Sequence, residues 1–217
     1  MANYLLLSQL IVYVFIFALS LCLSVPVSIH LNNFRGHCLL FSSGNWSNKG
    51  QLMVEWSSSF YCSYVIFVGG ILLISSLIQI YRLSIFLYKG VDSSFLSAFI
   101  DTITSTLLSI MSLAAAIFIT LGFKAWCDAI TTRYISCKDA SSSDMDEKAN
   151  IIIPGFYIQI GTAQFAAWSA WVCSVALAVF SFLKICQYHQ RANIVASMAK
   201  ERQRLVRDPY DKSHPIA

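Results

Sequence analysis

The sequence predicts an all-α membrane protein, a bundle of four transmembrane helices with a small β-hairpin in the first exterior loop. Three observations carry that reading. The 217 residues are 57% hydrophobic and only 12% charged, with a mean hydropathy of +0.63, whereas an ordinary soluble domain is about 25% charged. Charge-free stretches occur at 1–34, 56–81, 102–123 and 149–183, each near or above the ~20 apolar residues that cross a bilayer. One segment between the first two stretches alternates in the two-residue period of a strand. A net charge of +4 and an aromatic share of 14% argue against a disordered chain, and no nucleic-acid partner is expected.

The spans are placed at Tyr4–Val27, Phe60–Tyr81, Phe95–Phe123 and Phe156–Ile185. Pro26 falls in the last turn of the first, where a helix can end cheaply. A cleaved signal peptide would need a basic leading region and an A-x-A site; neither is present, so four spans are retained. The exterior loops are then 28–59 and 124–155, and the chain divides into a membrane domain, 1–190, and a tail, 191–217.

Orientation follows Lys and Arg. Nine of them (Arg82, Lys89, Lys184, Arg191, Lys200, Arg202, Arg204, Arg207 and Lys212) fall on one side and six on the other. Positive charge gathers at cytoplasmic helix ends. Both termini are therefore expected in the cytoplasm of a plasma-membrane or secretory-pathway protein. The tail from Lys184 carries seven basic and three acidic residues, a pattern suited to anionic lipid headgroups.

Cys38, Cys62, Cys127 and Cys137 all fall on the exterior side, and four cysteines in an oxidising compartment point to two disulfides. Pairing within each loop, Cys38 with Cys62 and Cys127 with Cys137, closes moderate loops; cross-loop pairing is the alternative. No metal spacing occurs among Cys and His, so no metal or other cofactor is expected. Asn45-Trp46-Ser47 is an N-glycosylation sequon in the exterior loop. Around it Gly36–Ser42 and Gln51–Trp56 have strand character, with Gly44 and Gly50 as turn residues. The second loop is polar from Ala140 to Lys148 and reads as mobile.

Within the spans the ionisable residue is Asp101, about 9 Å from Phe95 at 1.5 Å per residue. A structural ion pair with Arg82 or Lys184 is the expectation, against a proton or cation site. Gln9, Gln79 and Gln164 read as helix-bridging amides. Gly69, Gly70, Ala114–Ala116, Gly161, Ala163, Ala167 and Ala170 are small enough for close helix approach, within the bundle or toward a partner. Trp168 and Trp171 lie too deep for an interfacial belt. The histidines form no catalytic set, and neither H-E-x-x-H nor G-x-S-x-G occurs. No catalytic residues and no enzyme activity are expected.

Phe34-Arg35-Gly36-His37-Cys38-Leu39-Leu40-Phe41, Val54-Glu55-Trp56, Tyr88-Lys89-Gly90, Gly122-Phe123-Lys124-Ala125-Trp126-Cys127-Asp128-Ala129-Ile130-Thr131 and Ala163-Gln164-Phe165 stand in an order and spacing that resembles the transmembrane protein 179 family. The resemblance runs from residue 30 to about 190. It implies a four-span integral membrane protein with four exterior cysteines, and no enzyme activity. The architecture is also similar to claudin-type tetraspans, an analogy of shape with which function does not travel; the W…G-L-W…C…C pattern is absent. The function expected is an accessory or scaffold subunit that binds another membrane protein through its helices and stapled loops. The alternative is a small transporter or channel with a polar path near Asp101.

Overall fold

The computed structural model describes residues 2–46, 52–89, 95–132, 136–140 and 155–213. Helix α1 spans Ala2–Asn33 and is followed by strands β1 (Cys38–Trp46) and β2 (Leu52–Ser57). Helix α2 runs Phe60–Lys89, α3 Phe95–Ile130, the one-turn α4 Cys137–Ala140, and α5 Phe156–Ser213. Four of these helices are long and apolar enough to cross a membrane. The expected spans begin where α2, α3 and α5 begin, but all four helices run further than expected. The charge gaps mark the lipid-embedded parts alone, and a polar helix in water needs no break where the lipid stops.

Pro26 does not end α1. It lies inside the helix, where it costs the bond that its missing N–H would give to the carbonyl of Cys22. The stop comes at Asn33, with a Schellman pattern. Gly36 N–H reaches Leu31 O at 2.8 Å, and Arg35 N–H reaches Asn32 O at 3.1 Å. This puts Arg35 in the left-handed position, with φ of 51°. The hydroxyl of Ser59 then donates to Gly36 O at 3.3 Å, which ties the end of α1 to the start of α2. Ser136 caps the N-terminus of α4. Ser136 Oγ accepts from Asp139 N–H at 3.1 Å and donates to Asp139 Oδ2 at 2.8 Å.

In the bundle α1 packs against α2 and α5, and α3 packs against α5, while α2 and α3 meet far more sparsely. Small residues set two of these seams. A Cβ at Gly69 on α2 would collide with the Ser24 hydroxyl of α1. Ala163, Ala166, Ala167 and Ala170 of α5 are buried in the core with Ala115 and Ala116 of α3. Gly70 and Gly161 meet nothing within 4 Å, so they are not close-approach positions.

The hairpin is antiparallel, with Ser43 opposite Glu55 and Trp46 opposite Leu52. Gly44 is a paired strand residue opposite Val54 rather than a turn residue; Gly50 and residues 141–148 lie outside the described residues. Between Cys38 and Ser43 the register shifts, and Phe41 adopts φ of 64°. Buried Ser42 repairs this irregularity, donating to Cys38 O at 2.7 Å and accepting Ser57 N–H at 3.1 Å. The bulge lets β1 lie on α3. A Cβ at Gly122 would sit 2.8 Å from Leu40 Cβ and 3.1 Å from Leu40 Cα, so only glycine admits the strand there. Phe34, Leu39, Trp126, Ile130 and Phe156 close a second core beneath the hairpin.

Candidate functional site

Two regions concentrate chemistry-bearing side chains, a platform at the hairpin end and a polar cluster at the other end of the bundle. In the platform the structure joins Cys38 to Cys62, with a Cα separation of 5.8 Å, and Cys127 to Cys137, at 5.4 Å. The first bond ties β1 to the first turn of α2, and the second ties the end of α3 to α4. Asn45 stands opposite Met53 at the far end of the hairpin; Ser47 of its sequon lies outside the described residues. On the platform surface the exposed His37 ring stacks on Trp56 at 4.9 Å, and Phe34 meets the same indole edge-on at 6.0 Å.

At the opposite end, one carboxylate oxygen gathers α2 and α3. Asp101 Oδ1 accepts from Arg82 Nη1 at 3.0 Å and from Gln79 Nε2 at 2.8 Å. The same Arg82 nitrogen donates to Gln79 Oε1 at 3.1 Å, and Nη2 donates to the Ser97 hydroxyl. The side chains of Arg82 and Asp101 are 32% and 17% exposed. One turn along α3, the Ser105 hydroxyl donates to Asp101 O at 2.7 Å. Ring contact between Trp126 and Phe156 sets α3 and α5 at a common level. From there Asp101 lies about 37 Å along α3 and Lys184 about 42 Å along α5, at 1.5 Å per residue, so Lys184 falls roughly one turn beyond the carboxylate.

Sequence reasoning did not find Gln79 and Ser97 as members of this cluster. The legible signal was spacing, since residues three apart share a helix face and Gln79 is three before Arg82. The structure buries Gln9 and Ser20 on α1, Ser76 and Gln79 on α2, and Ser174 and Ser181 on α5. Ser20, Ser76, Ser105, Ser112 and Ser174 each donate to a carbonyl of their own helix, at 2.7–3.1 Å. Gln164 and Trp168 of α5 both donate to the Thr120 hydroxyl of α3, at 3.3 and 3.1 Å, so Gln164 does bridge helices.

A four-helix membrane bundle with a disulfide-joined hairpin in its first loop is a claudin-like, multi-pass integral membrane protein. The chain matches the family described as the transmembrane protein 179/179B claudin domain over residues 5–206. It belongs to that family. No solved structure matches it.

Proposed function

We propose that this protein is a non-catalytic accessory or scaffold subunit that binds another membrane protein through its helices and exterior loops. The observation that carries the reading is the platform. A hairpin with an irregular register is seated on α3 at Gly122, backed by its own aromatic core and joined to α2 by a disulfide. A rigid surface of this kind lowers the ordering cost of association, and the His37–Trp56 stack gives it an aromatic centre. Both termini are assigned to the cytoplasm, and a glycan is assigned to Asn45. The stable membrane unit is 1–190, although α5 continues without a break into the tail.

The test is whether a defined membrane partner co-purifies in mild detergent at fixed stoichiometry, and is lost in Trp56→Ser with the thermal transition retained. A partner retained by that variant removes the platform from the reading. The transporter alternative draws on the one-third exposed Arg82 beside Asp101. It requires a pH- or cation-dependent flux in proteoliposomes that Asp101→Asn abolishes at unchanged stability. Adhesion of the tail to anionic lipid is a further part of the proposal. It requires α5 to bend beyond Cys186, since a straight helix puts Lys200 about 24 Å past Lys184, well outside a Debye length of ~8 Å. Binding of residues 186–217 to phosphatidylserine vesicles but not to neutral ones is the expected result.

A further inference from the structure

Helix α5 runs to Ser213 without a break, and its character changes after Leu183. Residues 149–183 hold no charged side chain, while residues 184–204 hold six, five of them basic and Glu201 alone acidic. That composition suits water. Yet the same part of the helix exposes large apolar side chains, with Ile194 at 56%, Val195 at 62% and Met198 at 57%. A helix face meant only for solvent is polar.

At 3.6 residues per turn, Ile194, Met198, Arg191, Arg202 and Val195 fall within about 100° of arc. Asn193, Lys200 and Arg204 fall on the opposite side. One face is therefore apolar and carries two guanidinium groups at its centre, and the other is polar and also cationic.

Three surfaces are candidates to cover the apolar face, and the charges choose among them. A second copy packed in parallel would set Arg191 against Arg191 and Arg202 against Arg202, and like charges at one level oppose that contact. The straight helix also carries the face away from a bilayer. Ile194 lies about 15 Å past Lys184 and Arg202 about 27 Å, beyond a Debye length of ~8 Å. An apolar groove rimmed by carboxylates answers both halves of the face. The apolar anchors enter the groove, and the rim pairs with the two arginines.

We propose that α5 beyond Ile185 is a docking helix for an acidic calcium-sensor protein. Calcium opens such a protein onto a Met-rich apolar groove, and methionines adapt to an irregular set of anchors such as Ile194, Val195 and Met198. In the cell this rests on the assignment of the C-terminus to the cytoplasm, which protease protection of a C-terminal tag reads separately. Binding to nanodiscs does not depend on it, because both faces of the disc meet solution.

The experiment titrates calcium-loaded calmodulin, as a probe of this class, onto the full chain in nanodiscs of neutral lipid. Binding is expected at a Kd of about 1 μM or tighter, and loss of it on calcium chelation. Ile194→Asn/Met198→Asn and Arg191→Gln/Arg202→Gln are each expected to weaken it at least about tenfold with the thermal transition retained. Lys200→Gln/Arg204→Gln removes the same charge from the opposite side, and should weaken it by no more than about fivefold, the order of exposed ion pairs. An equal loss in the two charge variants shows diffuse attraction and overturns the proposal. Absence of binding overturns it as well, and so does binding that persists without calcium. On nanodiscs containing phosphatidylserine the probe is expected to bind still, lifting the tail from the lipid. Loss of binding there gives the face to the bilayer and overturns the proposal.

Discussion

Arg35 and Gly122 show how single positions set the ends and seams of this molecule. Arg35 holds φ of 51° at the stop of α1, a conformation that costs a residue with a Cβ roughly 1–2 kcal/mol. Arg35→Gly relieves it but adds backbone entropy to the unfolded chain, so a net gain of up to about 1 kcal/mol is expected, as a higher thermal midpoint in detergent. Gly122→Ala is expected to act in the opposite direction. Its methyl would meet the Leu40 backbone at 3.1 Å, and overpacking of this kind costs about 1–3 kcal/mol, more than the ~1 kcal/mol that alanine gains in a helix. Gly161→Ala is the control, with nothing within 4 Å, and should be neutral or stabilising by up to ~1 kcal/mol. None of these three signs is legible from the residue type. Gly69, Gly70, Gly122 and Gly161 look alike in sequence and differ only in what stands opposite them.

The helices and disulfides were partly legible as elements. Three helix starts coincide with the expected span starts, because each follows a loop with turn or capping residues. The helix ends do not coincide, because hydropathy reports lipid contact and helical hydrogen bonds continue past it. The two disulfides differ in environment. Cys38 and Cys62 are both fully buried, and Cys127 and Cys137 are half-buried. A titration with a water-soluble phosphine is therefore expected to open Cys127–Cys137 first. The sequence separations are 24 and 10, for which chain-entropy arguments give about 3.5 and 2.8 kcal/mol. Cys38→Ser/Cys62→Ser should lower the thermal midpoint more than Cys127→Ser/Cys137→Ser. Equal losses would show that buried packing, rather than the crosslink, holds β1 to α2.

Across the whole molecule the bundle has one weak seam. α2 leans on α1, α3 leans on α5, and the meeting of α2 with α3 depends on a few long side chains. Near the hairpin end the rings of Tyr61 and Tyr64 meet Phe118 at 5.5 and 5.3 Å. At the other end stands the Arg82–Asp101 pair with Gln79. Replacing that pair by Arg82→Met/Asp101→Leu is expected to broaden the distance between spin labels at the ends of α2 and α3, leaving the α1–α2 distance unchanged. Asp101→Asn alone should cost about 1 kcal/mol, the order of one partly exposed charge-assisted bond. A uniform broadening at all seams would show instead that the pair stabilises the bundle as a whole. By itself the sequence determined the number of spans and the presence of a hairpin, since these follow from local hydropathy, charge and alternation. Only the tertiary structure decided that Gln79 joins Arg82 at Asp101, that β1 is seated at Gly122, and that His30 is fully buried. Each of these depends on the level at which residues distant in the chain face one another, and that level is set by packing between helices, which no single segment encodes.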